Sequence, residues 1–207
     1  MPQVGIDLRG WVARYPLRTA VVFQAALIPL ALVLGRLLEI PLLEQFQWRL
    51  HVPLIAVLAT VPMLLLLALL AVSGLLAYRR LEVQVRELLG RLFRGAPPGS
   101  VVLLALLAGT GEEMLVRGVL QGWLAGQLPV AWAILLAALA FGLAHYISGL
   151  YFVFATLIGI YLGLVYHVTD NLLVVGLAHA LYDWIVIRLY LRTGRRPQQF
   201  GTERPRS

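Results

Sequence analysis

The stretch Ile55–Tyr78, IAVLATVPMLLLLALLAVSGLLAY, carries no charged residue and no strict alternation of apolar with polar positions. A bilayer core of roughly 30 Å needs about 20 residues of helix to cross it. Inside lipid the backbone must satisfy its own hydrogen bonds, which leaves helices or a closed β-barrel. Barrel strands alternate with a period of two, and this run does not, so it reads as membrane-spanning helix. The composition agrees. Of 207 residues, 60% are hydrophobic and only 13% charged, with a mean hydropathy of +0.85, too apolar for a soluble domain of this size.

Outward from that stretch, the sequence predicts an all-α polytopic membrane helix bundle with six spans: Leu17–Leu34, Val52–Tyr78, Val101–Leu124, Val130–Tyr146, Leu150–Tyr166 and Asn171–Tyr190. The first follows Arg9, Arg14 and Arg18, the flank of a signal peptide. Ala31 to Glu39 offers no small-x-small cleavage site, however, so it is expected to be an uncleaved helix. A single membrane-embedded domain is expected. Residues 17–100 would form N-terminal helices plus an amphipathic helix, residues 101–190 would carry the chemistry, and 191–207 would be a flexible basic tail.

The net charge of +7 does not point to a nucleic acid. All 17 basic residues are arginines, and nearly all flank the apolar runs, where basic residues set topology and meet anionic head groups. They cluster before the first span, between the second and third, and after the sixth. Arg36 and Arg49 alone occupy the opposite loops. The positive-inside rule then predicts a cell (inner) membrane protein with both termini in the cytoplasm and an even number of spans. The segment Arg79–Arg94, RRLEVQVRELLGRLFR, sets Leu81, Val85, Leu88, Leu89 and Leu92 against an arginine-rich face. It is expected to lie on the cytoplasmic membrane surface. The absence of Cys removes thiol nucleophiles and Cys-based zinc sites.

Ionisable groups within spans cost at least about 2.5–3.5 kcal/mol each at a helix centre and mark function by default. Here they gather in the later spans: Glu112, Glu113 and Arg117 in the third, His145 ending the fourth, His179 and Asp183 in the sixth, with Arg188 set apart near a span end. The first two spans read as plain packing helices. Glu113 and Arg117, four apart, share a helix face and can pair. Glu112, rotated by about 100°, must look elsewhere. With about 1.5 Å of rise per residue, Glu112 and His179 fall near mid-membrane. His145 falls about one turn too shallow, a gap that tilt or a kink must absorb.

Such a set suits water activation. A desolvated glutamate is a competent general base, an imidazole can hold the same water, and further polar groups can stabilise an oxyanion. Two histidines with a carboxylate, His145, His179 and Glu112, could instead bind a metal such as zinc. Ser73 and Ser148 lack an obvious partner for nucleophilic catalysis, and no H-E-x-x-H is present.

The strings Glu112-Glu113-Met-Leu-Val-Arg117, Phe141-Gly-Leu-Ala-His145 and His179-Ala-Leu-Tyr-Asp183 occur in that order. They resemble the three motifs of the CPBP, or Abi, family of intramembrane proteases, which includes the CAAX-processing endopeptidases. In CAAX-type members Asn stands at the position of Asp183, and Asp occurs there in bacterial relatives. The resemblance, over about Val101–Arg188, implies an intramembrane endopeptidase acting on a membrane-associated peptide or protein. Glu112 would be the general base and His145 would position the water. His179 and Asp183 would stabilise the oxyanion or, in a metal-dependent description, help bind zinc. Glu113, Arg117 and Phe141 would be supporting residues. The glutamate mechanism, which needs no cofactor, is the preferred expectation. Two other functions fit the same residues: a catalytically silent partner-binding or bacteriocin-immunity protein, and a small proton-coupled transporter. Transporters commonly carry inverted repeats, and this sequence shows none.

Overall fold

The computed structural model describes residues 14–193, and every regular element among them is helical. Arg9 and the predicted basic tail beyond Thr193 lie outside the described residues. The elements are α1 (Pro16–Leu37), a 3₁₀ turn (Leu42–Gln45), α2 (Val52–Val72), α3 (Leu76–Leu92) and α4 (Ser100–Glu113). A π-helical stretch (Met114–Gln121) runs on into the short α5 (Gly122–Ala125), and α6 (Val130–Ala144), α7 (Gly149–Thr169) and α8 (Leu172–Thr193) follow. Helices α1, α2, α7 and α8 are each long and apolar enough to cross a membrane. The other two predicted spans correspond to the stretch from α4 through α5, broken by its π segment, and to the shorter apolar helix α6. The chain is a polytopic helical membrane bundle.

One predicted boundary is corrected. The second span was expected to reach Tyr78, but α2 ends at Val72. Ser73 turns back to cap Leu70, donating its hydroxyl to that carbonyl at 2.7 Å, and Gly74 adopts a φ of +71°, which a residue with a side chain rarely takes. The run Leu75-Leu76-Ala77 hides this break in a hydropathy profile. Helix α3 therefore begins before the arginines and buries Tyr78, Leu81 and Leu89, with its charged face outward.

Close backbone approach sets the frame around the motifs. Helix α4 packs along α8, α6 along α7, α2 on α8 and α1 on α4. At Gly109 of α4 an added Cβ would lie 2.8 Å from the amide nitrogen of Ala180 and would strike the carbonyl of Gly176. Only glycine permits this contact, as small residues do between membrane helices. One turn further on, Glu112 and Glu113 face His179. Thr60 of α2 ties in from the other flank, donating to the carbonyl of Ala178 at 3.1 Å. The start of α1, the whole of α3 and the end of α8 share one side of the bundle. Arg14 to Val22 and Arg91 to Leu103 line one groove, and Arg86 reaches the carbonyl of Tyr190 at 3.2 Å.

Candidate active site

The π segment begins directly after Glu113 and continues a buried polar stripe, Glu113, Arg117 and Gln121, spaced four apart. Such segments recur where a helix must re-aim side chains at a functional site. Arg117, fully buried, bonds the Glu113 carboxylate at 2.8 Å and the carbonyl of Gly159 at 2.9 Å. Gln121 repeats the second contact one turn on, donating to the carbonyl of Gly163 at 3.0 Å. Gly159 and Gly163 make this possible. A Cβ at Gly163 would stand 2.8 Å from the Gln121 amide oxygen, and one at Gly159 would stand 3.0 Å from Ala138 on α6.

Glu113 also does something its pairing with Arg117 did not foretell. The oxygen that meets Arg117 lies 2.7 Å from His179 Nδ1. A carboxylate bound to arginine accepts, so Nδ1 carries the hydrogen, and the His179 ring turns Nε2 away from Glu113. That atom lies 3.9 Å from Glu112 Oε2 and 3.7 Å from Asp183 Oδ2. His145 is oriented in the same sense. Its Nδ1 lies 2.9 Å from the carbonyl of Phe141, which can only accept, leaving Nε2 facing Glu112 Oε2 at 3.4 Å.

The depth of His145 follows from the length of α6. Its 15 residues span roughly 22 Å at 1.5 Å each, well short of a bilayer core of roughly 30 Å. The helix ends inside the bundle, and His145 occupies its C-terminal cap, bonding one of the carbonyls that every helix end leaves unpaired. This resolves the apparent one-turn offset without a kink. Of the irregular residues that follow, Ile147 lines the cavity described below.

Glu112 receives its second anchor from α1. Gln24 donates its amide nitrogen to Glu112 Oε1 at 2.7 Å, so α1 is more than the plain packing helix expected. One oxygen of Glu112 is thereby fixed and the other is left toward the two imidazoles. Glu112 Oε2 and the Gln24 amide oxygen make no hydrogen bond among the described residues. Both residues line a cavity of about 270 Å³ that also takes in Phe141, His145, Tyr151, His179 and Asp183. Away from these polar groups its walls are apolar, built from α2, α3 and α8 side chains such as Leu67, Leu81, Val85 and Val186.

Phe141 joins the parts. Its ring is 4.3 Å from that of His145, meets His179 edge-on at 6.0 Å and lies beneath the Arg117 guanidinium at 4.8 Å. All seven residues singled out from the sequence, Glu112, Glu113, Arg117, Phe141, His145, His179 and Asp183, therefore meet in one cluster. Gln24, Tyr151 and the role of Glu113 as partner of His179 were missed. An amide within the otherwise apolar run Ala20–Leu34 was the one available signal for Gln24. Among the described residues no group of three or more His, Asp or Glu is set out to hold a metal ion.

Fold and cluster together define a polytopic membrane protein with an acid-and-imidazole site enclosed between helices. Residues 94–185 match the family model for the type II CAAX prenyl endopeptidase, Rce1-like, and this segment holds all three motifs. No curated protein and no solved structure gives a match.

Proposed function

We propose that this protein hydrolyses a peptide bond of a membrane-associated peptide or protein, with Glu112 activating the water. The observation that supports this most directly is the division of labour at Glu112: Oε1 is held by Gln24, while Oε2 faces His145 and His179 within the cavity. A water between Glu112 Oε2 and His145 Nε2 gives its proton to the carboxylate as its oxygen attacks the scissile carbonyl carbon. The oxyanion so formed accepts a hydrogen bond from Nε2 of His179 in its doubly protonated form, whose Nδ1–H is held by Glu113. Asp183, beside that Nε2, balances the imidazolium charge. Glu112 then passes its proton to the departing nitrogen as the C–N bond breaks, yielding an acid and an amine. Water and amide are consumed in equal number, and the enzyme returns to its starting protonation.

His145, His179 and Glu112 would be the donors to a divalent metal such as zinc, which would act as a Lewis acid, but as they stand these three side chains do not form a metal-holding group. No step above depends on one. The arginine clusters shared by the start of α1, α3 and the end of α8 support a cytoplasmic orientation for this side under the positive-inside rule, in a protein of the cell membrane.

Glu112→Gln tests the reading. It keeps the bond to Gln24 as an amide pair and removes the base. Loss of a defined cleavage, followed by comparing membrane peptides of cells carrying wild-type or variant protein, is expected with folding unchanged. Cleavage that persists in this variant overturns the assignment. Cleavage abolished by chelation and restored by zinc replaces the metal-free route with a metal-dependent one.

A further inference from the structure

A second cavity, of about 840 Å³, lies apart from the active site, where α1 and α4 begin and α3 ends. Arg14, Arg18, Arg91 and Arg94 line it, and no acidic residue among the described residues does. Arg91 pairs with Glu87 at 3.1 Å, but both side chains are largely exposed, a geometry that neutralises little. Arg18 lies over the Tyr15 ring at 5.0 Å, which leaves its charge in place. Helices α1 and α4 both start at this cavity without a side-chain N-cap, so their first amide groups and positive dipole ends add to the field of the guanidinium groups.

The wall beneath this rim is apolar, and it is continuous with the membrane-facing surface. Leu17, Val21, Val22 and Leu103 form it, with Val22 61% and Leu103 49% exposed. A soluble anion would use the rim alone. A ligand that uses both parts carries a phosphate and an acyl chain and arrives from the bilayer. We propose that the groove binds an anionic glycerophospholipid, with its phosphate on Arg14 and Arg94 and a chain along Val22 and Leu103.

The test uses the full-length protein in nanodiscs of mixed phosphatidylcholine and phosphatidylglycerol, released into mild detergent, with bound lipid counted by native mass spectrometry. Wild type is expected to retain phosphatidylglycerol over phosphatidylcholine. R14Q/R94Q is expected to lose that retention roughly tenfold or more. R79Q/R80Q, an equal loss of charge on α3 outside the groove, should keep it, and L103W, which fills the apolar wall, should weaken it. Equal loss in the two arginine pairs overturns the proposal in favour of diffuse attraction. Displacement by glycerol 1-phosphate alone overturns it in favour of a soluble phosphate. If R14Q/R94Q fails to fold, wild type photolabelled by a phosphatidylglycerol with a diazirine acyl chain decides: label concentrated at 17–22 and 100–103 supports the site, and label spread evenly over the spans overturns it.

Discussion

Replacing Arg117 and Glu113 singly and together measures the buried pair at the heart of the bundle. Their side chains are each about 1% exposed and meet at 2.8 Å. A surface pair of this kind contributes about 0–1 kcal/mol, whereas removing one partner of a buried pair costs about 3–5 kcal/mol by stranding the other charge. Arg117→Met strands Glu113, which keeps only His179, and also gives up the bond to Gly159. Glu113→Gln strands Arg117. Glu113→Gln/Arg117→Met removes both charges while the amide oxygen at 113 still accepts from His179 Nδ1. The double variant is therefore expected to be more stable than either single variant, with a coupling of at least about 3 kcal/mol, roughly a hundredfold in the unfolding equilibrium. Denaturation by SDS in bicelles, followed by tryptophan fluorescence, reads all four proteins on one scale. A double variant whose loss equals the sum of the two single losses refutes the argument.

Three further outcomes follow from the geometry. Gln24→Leu removes a hydrogen bond to a charged group, worth about 1.5–3 kcal/mol, and frees Glu112 to turn. We expect kcat to fall roughly tenfold or more with KM little changed, and a change confined to KM would place Gln24 in substrate binding instead. Asp183→Asn keeps the shape at 3.7 Å from His179 Nε2 and supplies the residue found in CAAX-type members. Cleavage should survive within about tenfold, and its complete loss would show that the negative charge is required. Gly109→Ala forces α4 away from Ala180 and should cost about 1–3 kcal/mol by overpacking, read in the same SDS titration, with activity falling as Glu112 and His179 separate.

The helices were legible because apolar run length and the lack of alternation are properties of the sequence itself. The cluster was legible because charge inside lipid is costly enough to be rare, so six ionisable groups in the later spans had to meet. What could not be read depended on tertiary contact or on local geometry. The Ser73–Gly74 turn sits inside an apolar run, where hydropathy is blind to backbone conformation. The bond from Gln24 to Glu112 joins residues 88 apart, and nothing in the spacing of either helix announces it. His145 reaches its depth because α6 is short, and helix ends are uncertain from sequence. Glu113 could be paired with Arg117 by counting, but its contact with His179 requires the close passage of α4 and α8 at Gly109.

The local character of the Glu113–Arg117 pair has a bearing on how the protein is made. Synthesis delivers α4 to the membrane before α8 exists, so at that moment neither His179 nor Asp183 is present to compensate the two glutamates. Each charge entering the lipid costs at least about 2.5–3.5 kcal/mol on insertion scales. Arg117, four residues from Glu113 on the same segment, can neutralise it within a single nascent helix, and Gln24 of the already inserted α1 can solvate Glu112. The residues that hold the finished site together are also those that allow its third apolar segment to leave the translocon before its histidine partner on α8 has been made.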